Sequence, residues 1–169
     1  MRRERDMDDK DREILAILQQ DCSLPVAEVA GRVHLSQTPC WRRIQRLEAE
    51  GVIERRVVIL NPEAIGLGLT IFMEVELGEH SIERIDRFAA TVNAMPEVME
   101  VYRTAGDADY LLRVAVASMA DYDQLYLRLI AELPLKNVTS RFAVERVKST
   151  TAYKLPAGPK KAPGTRPGA

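Results

Sequence analysis

Between Leu67 and Leu77 every second residue is apolar (Leu67, Leu69, Ile71, Met73, Val75, Leu77), whereas before Asn61 the apolar side chains recur every three or four positions. A period of two lines one face of a strand; a period near 3.6 lines one stripe of a helix. A chain that changes period across Asn61-Pro62 has two cores to bury, one between helices and one against a sheet. The 169 residues suffice for two small domains of this kind.

Upstream of Pro62, Asp8 is a good N-cap for a helix over 9–20, with Asp9 and Asp11 in the first turn and Ile14, Leu15, Ile17 and Leu18 on one side. Pro25 opens a second helix over 26–33, with Val26, Val29, Ala30 and Val33 inward. His34-Leu35-Ser36 reads as a tight turn, and Ser36 caps a third helix over 37–50 that Gly51 stops. Three short helices with a tight turn between the second and third make a helix-turn-helix. Residues 52–60, rich in β-branched side chains, read either as a strand or wing at the edge of this domain or as the start of a connector.

Downstream, Ser81 caps a helix to Met95, with Ile82, Ile85, Phe88, Ala89 and Val92 as its stripe. Strands are expected over 98–104 and 110–117, joined by Ala105-Gly106-Asp107-Ala108-Asp109. A helix over 120–133 and a strand over 138–147 follow. The order β-α-β-β-α-β is the ferredoxin-like arrangement. The expected fold is therefore α+β: a winged helix-turn-helix over 1–60 and a ferredoxin-like ligand-binding and oligomerisation domain over 61–153. A flexible basic tail over 154–169 completes it, rich in Pro, Gly, Ala and Lys.

The net charge of −1 argues against a nucleic-acid partner until its distribution is considered. Residues 32–56 hold six arginines (Arg32, Arg42, Arg43, Arg46, Arg55, Arg56) against three glutamates, and phosphate binding depends on local clustering. Cys22 and Cys40 provide neither a disulfide framework nor metal-ligand spacing, and His34 and His80 have no ligand-spaced partner, so no metal or cofactor is expected. No apolar run approaches membrane-span length, and a cytoplasmic, nucleoid-associated location with no membrane partner is expected.

On a wheel of 100° per residue, Cys40, Ile44 and Leu47 form the inward stripe of the third helix. Thr38, Arg42 and Gln45 lie opposite, flanked by Trp41 and Arg46. Such groups read a major groove: Arg pairs with guanine, Gln with adenine, and Thr makes polar or methyl contacts. Ser36, Gln37 and Thr38, at the start of the helix, are placed to meet phosphate. Arg55 and Arg56 are candidate backbone contacts of a wing, and a solvated strand edge is an equal reading.

The segments Met7-Asp8-Asp9-Lys10-Asp11-Arg12-Glu13-Ile14-Leu15, Leu35-Ser36-Gln37-Thr38-Pro39-Cys40-Trp41-Arg42-Arg43-Ile44, Arg46-Leu47-Glu48-Ala49-Glu50-Gly51-Val52-Ile53 and Ala105-Gly106-Asp107-Ala108-Asp109-Tyr110-Leu111-Leu112 resemble the Lrp/AsnC (feast/famine) regulators. The likeness runs over about 7–150, with Lys10 standing where the family usually has an apolar residue. It implies a homodimer made through the second domains, assembling into octamers or larger arrays on double-stranded DNA. It also implies a small amino-acid effector at the interface between those domains, with the Gly106–Asp109 loop lining the pocket. Gly106 lets backbone N–H groups approach a carboxylate, and Asp109 can receive an ammonium. Asp107, Tyr102, Thr104, Met119 and Ser140 complete the expected effector set. Other segments, among them Ile65-Gly66-Leu67-Gly68-Leu69-Thr70 and Ser140-Arg141-Phe142-Ala143, resemble the cysteine-responsive, DecR-like branch, which implies L-cysteine as effector. From the residues alone, the Gly-Asp loop reads first as a plain hairpin turn.

The sequence thus points to a DNA-binding regulator and not to an enzyme, since it contains no nucleophile–base pair, metal cluster or phosphate loop. A ligand-independent architectural DNA-binding protein is the main alternative. An amino-acid-metabolising enzyme on a ferredoxin-like fold is the more distant one.

Overall fold

The computed structural model describes residues 7–78 and 81–156. Two compact units emerge: one contains residues up to Val58 together with the segment from Lys148, the other is Ile59–Val147.

In the first unit α1 (Asp9–Leu18), α2 (Val26–Arg32) and α3 (Gln37–Ala49) surround a small aliphatic core. Ile14, Val29, Ala30, Val33, Cys40 and Ile44 are all at most 2% exposed and touch one another. The entry to α1 is a full capping box. The Asp8 carboxylate accepts from the Asp11 amide at 2.9 Å, and the Asp11 carboxylate accepts from the Asp8 amide at 3.1 Å, so two otherwise orphaned donors are satisfied. His34, in the turn between α2 and α3, takes φ 55°, a left-handed conformation that costs a non-glycine residue about 1 kcal/mol or more. Gly51, at φ 65°, ends α3 in the same region without that cost.

Residues 54–61 form no strand, which favours the connector reading over a wing. Val57, Val58, Ile59 and Leu60 are each more than half exposed, so neither alternate face of this stretch is buried. β-Branched composition alone does not make a strand when no partner lies alongside.

The second unit contains β1 (Leu69–Leu77), α4 (Ile82–Asn93), β2 (Val98–Arg103), β3 (Tyr110–Val116), α5 (Met119–Glu132) and β4 (Leu135–Phe142). The sheet order is β2-β3-β1-β4, with every neighbouring pair antiparallel. This is the split β-α-β arrangement expected from the element order. Ile71, Met73, Val75 and Leu77 of β1 join Leu112, Val114 and Val116 of β3 beneath Phe88, Val92, Leu125 and Leu129 of the two helices. The Phe88 ring stacks on Tyr110 with centroids 4.2 Å apart.

One expected buried position and one strand boundary differ from expectation. Ile82 opens α4 but is 79% exposed, because the buried stripe of that helix is carried by Phe88 and Val92. β4 begins at Leu135, opposite Leu77, and ends at Phe142, opposite Ile71. Val144 and Val147 therefore lie beyond the ladder and are exposed, since β1 offers no partner there.

Candidate DNA interface and effector pocket

Helix α3 sorts its side chains as the 3.6 period requires. Cys40, Ile44 and Leu47 are at most 1% exposed, while Ser36, Gln37, Thr38, Trp41, Arg42, Gln45 and Arg46 are exposed. Burial raises the Cys40 thiol pKa, with Arg43 pulling the other way, so Cys40 behaves as a small core residue and not a reactive thiolate. Ser36 holds the N-cap backbone position, yet its hydroxyl makes no cap hydrogen bond, contrary to the expected role. Pro39 occupies the third helical position, where an N–H would otherwise be orphaned. The Ser36 hydroxyl and the Gln37 and Thr38 amides thus remain as donors at the positive end of the helix dipole, the chemistry that suits a phosphate.

The arginines divide into two groups. Arg43 donates to Asp8 at 2.7 Å and to Asp11 at 2.8 Å, and Arg46 donates to the other oxygen of Asp11, whose side chain is 0% exposed. Asp11 is thus a buried carboxylate that ties α1 to two successive turns of α3. Arg56 is paired with Glu48 at 2.8 Å, and Glu48 also accepts from Gln45 at 2.9 Å. Arg42 and Arg55 have no ion-pair partner among the described residues. Of the arginines expected at the interface, Arg42 therefore combines central position with an uncommitted guanidinium, whereas Arg46 is anchored to the protein. The sequence reading missed the Asp11 knot, although Asp11 had already been placed in the first turn. The missing signal was that one of two first-turn acids points inward.

Burial by itself would raise the Asp8 pKa, but the Asp11 amide and the Arg43 guanidinium outweigh it and hold the carboxyl below its ordinary value. A depressed carboxylate pKa stabilises the folded state above the unfolded value, about 3.9, and that contribution is lost as pH falls through the folded value. Asp8→Asn is accordingly expected to lower the first unit's stability at neutral pH and so flatten the acid limb of its pH–stability curve, with little change at the acid end. Thermal melts between pH 3 and 7 measure this; an acid limb as steep as that of the parent protein would remove Asp8 from the account.

The expected effector residues lie in three places. Tyr102, Thr104, Gly106, Asp107 and Asp109 are at the β2–β3 hairpin, where the Thr104 amide donates to the Asp109 carbonyl at 2.9 Å. The Asp109 carboxylate accepts from the Leu77 amide at 2.7 Å, so it also closes the end of β1. Tyr102 donates to Glu100 at 2.9 Å, and Thr104 donates to the Ala108 carbonyl. Gly106 has no heavy atom within 4 Å of where a Cβ would sit, so a ligand can approach its backbone. Met119, 56% exposed, starts α5 beyond the opposite end of the seven-residue β3, about 20 Å away at the usual strand rise. Ser140 faces the helices and accepts from the Tyr122 hydroxyl at 2.8 Å. A single copy of the chain does not gather all seven around one amino acid.

The sheet face opposite the helices is bare within this unit. Phe72 and Tyr102, 38% and 55% exposed, lie there among the Arg113–Glu100 and Arg141–Glu74 pairs at 2.6 and 2.8 Å. A cavity of about 280 Å³, lined by Leu77, Glu83, Arg84, Arg87, Leu133 and Pro134, was not anticipated. Its walls come from three elements that only the fold brings together. Among the described residues no cluster of His, Cys, Asp or Glu could hold a metal, and no helix is long and apolar enough to cross a membrane.

Residues 7–48 match the AsnC-type helix-turn-helix domain, and residues 70–153 match the Lrp/AsnC ligand binding domain. The chain belongs to the Lrp/AsnC family. It is 48% identical over 150 residues to the DNA-binding transcriptional activator DecR of Escherichia coli, covering 88% of this chain and 99% of that protein. It is 46% identical over 152 residues to the glutamate uptake regulatory protein of Zymomonas mobilis, covering 90% and 93%. Among solved structures, an AsnC family regulator from Agrobacterium tumefaciens superposes with a TM-score of 0.85 at 49% identity, covering 88% of this chain and 97% of the other. A Neisseria meningitidis regulator in complex with L-Met superposes at 0.84 with 32% identity, covering 88% and 96%. This Lrp/AsnC member is a DNA-binding transcriptional regulator with an amino-acid-binding domain, and its likeness to DecR places it on the DecR-like branch.

Proposed function

We propose that this regulator binds specific operators by laying α3 in the major groove, and that an amino acid between sensor units changes operator affinity or assembly state. The observation that carries the reading is the division of α3 into a wholly apolar buried stripe and an exposed face of Ser36, Gln37, Thr38, Arg42 and Gln45. Such a face has the bidentate donors that major-groove recognition uses.

A homodimer, extending to octamers or larger arrays, accounts for two features of the sensor unit. The bare sheet face carries exposed Phe72 and Tyr102, which a second copy would cover. The effector candidates, dispersed in one copy, require residues from two copies to enclose a ligand. A two-fold dimer presents two α3 helices to paired half-sites, and binding at one site must then couple reciprocally to the other. The amino-acid class follows from the family and from the L-Met complex of the Neisseria relative. Likeness to the DecR-like branch makes L-cysteine the first effector to test. Association with the nucleoid follows from the DNA-binding role.

The test is footprinting and mobility shift at moderate salt on fragments from beside its own gene, with and without L-cysteine, L-methionine, L-leucine and L-glutamate. A preferred sequence whose affinity shifts with one amino acid is expected. Absence of sequence preference would overturn the operator reading, and a preference indifferent to every amino acid would leave an architectural protein.

Asp109→Asn sharpens the effector arm. The amide oxygen still accepts from Leu77, so the fold is kept, but the charge that would receive an α-ammonium is gone. Loss of the amino-acid response with unchanged apo operator affinity is expected; a full response would take Asp109 out of the pocket.

A further inference from the structure

Helix α3 has a single acid, Glu48, in a segment whose other charged residues are Arg42, Arg43 and Arg46. A carboxylate beside a face that meets phosphate is repelled by it, so its presence needs a physical reason. Both of its oxygens are engaged. Oε2 accepts from the Gln45 side-chain N–H at 2.9 Å, and Oε1 accepts from the Arg56 guanidinium at 2.8 Å. The Arg56–Glu48 pair is partly exposed and adds little to stability; its consequence is to hold the Gln45 amide in one orientation. Arg56 reaches this place by a local route. Gly51, at φ 65°, reverses the backbone after α3, and the Val52 and Ile53 amides donate to the Leu47 carbonyl at 2.8 and 3.1 Å. Ile53 packs against the aliphatic core of the first unit, and Arg56 then reaches back across eight positions to Glu48.

Donor and acceptor chemistry fixes which way the amide is turned. A carboxylate only accepts, so Gln45 directs its NH2 and not its oxygen at Glu48. The reversed amide would set two oxygens against each other. One N–H and the carbonyl oxygen then remain, and Oε1 accepts from no donor among the described residues. An acceptor beside a donor is the complement of the adenine edge, with its N6 amino group and N7. An amide with no such anchor turns either group toward the bases and discriminates less.

We propose that Glu48 and Arg56 are positioning residues for operator recognition, which lock the Gln45 amide in the polarity that reads adenine. Arg56 serves α3 in this way and not as a contact to the phosphate backbone. This inference rests on the operator reading above and deepens it, assigning a base and an orientation at one position of each half-site.

The parent protein, Gln45→Ala, Glu48→Ala, Gln45→Ala/Glu48→Ala, Arg56→Ala and Arg56→Lys are titrated onto the operator duplex and a panel with each base pair changed in turn. Salt is varied between about 50 and 200 mM. Gln45→Ala is expected to lose about fivefold or more of the preference at one A·T pair per half-site. Glu48→Ala should lose preference at the same pair. It should bind unrelated duplex at least as well as the parent, because an anion has left the interface; that binding also shows the variant to be folded. The double variant should lose no more at that pair than either single variant, since the two residues act as one unit. Arg56→Ala should lose part of the preference with little change in salt slope, and Arg56→Lys, which can still donate to Glu48, should restore it. Full preference in Glu48→Ala, or losses that add in the double variant, would overturn the positioning role of Glu48. Preference intact in Arg56→Ala beside a slope smaller by about 0.9 would make Arg56 a phosphate contact instead. Loss at a G·C pair in Gln45→Ala would overturn the assigned polarity. A parent protein without preference at any pair would defeat the operator reading itself.

Discussion

Replacing Asp11 with alanine is expected to destabilise the helix-turn-helix unit by about 3 kcal/mol. Its carboxylate is fully buried and accepts from the Asp8 amide, from Arg43 and from Arg46. Removing one member of a buried charge network costs about 3–5 kcal/mol when the remaining charges stay buried. Here Arg43 and Arg46 retain 28% and 45% side-chain exposure and regain some hydration, so the lower end applies. A loss of this size is a large part of what holds a unit of this size together. Asp11→Asn, which keeps one acceptor, should fall between the parent and the alanine variant. Urea unfolding followed by a probe in the first unit, with Trp41 as the chain's one tryptophan, provides the measurement. A loss under 1 kcal/mol for Asp11→Ala would mean that the knot is not a brace.

Arg42→Ala should weaken specific operator binding by about 1–3 kcal/mol, or roughly 5- to 150-fold, and relax preference at one base position per half-site. The structure sharpens the comparison with its neighbours. Arg46 is bound to Asp11 and Arg56 to Glu48, so each must leave a partner before meeting DNA, whereas Arg42 has none to leave among the described residues. Arg46→Ala is therefore expected to cost stability more than base preference. Mobility shifts with a duplex panel mutated at single positions separate these outcomes. Undiminished affinity and preference in Arg42→Ala would mean that α3 is turned otherwise in the groove.

The two predictions concern different layers of the same helix pair, and the layers differ in how far they could be read in advance. Cys40, Ile44 and Leu47 were legible as the buried stripe of α3 because helical periodicity is a local property. Asp8, Ser81 and Gly51 were legible as helix ends for the same reason: a cap acts within three or four residues. Strict alternation likewise announced β1, and the order of elements announced the ferredoxin-like sheet. Ser36 was the exception, since its position was read correctly but its hydroxyl does not cap.

What could not be read depends on partners distant in sequence. Whether residues 52–60 become a strand is decided by a neighbour to bond with, and among the described residues none pairs with it. The start of β4 at Leu135 is set by Leu77 across the sheet, and the role of Asp109 at the end of β1 by the Leu77 amide. That Asp11 points inward is decided by two arginines more than thirty residues away, and the course of residues 153–156 by Gln19 and Arg12. Periodicity and capping are fixed by energies summed over one or two turns of chain, so the order of residues determined the elements and their faces. Polar side chains choose partners by distance in space, and only the folded chain decided which arginines face outward and where the C-terminal segment is held.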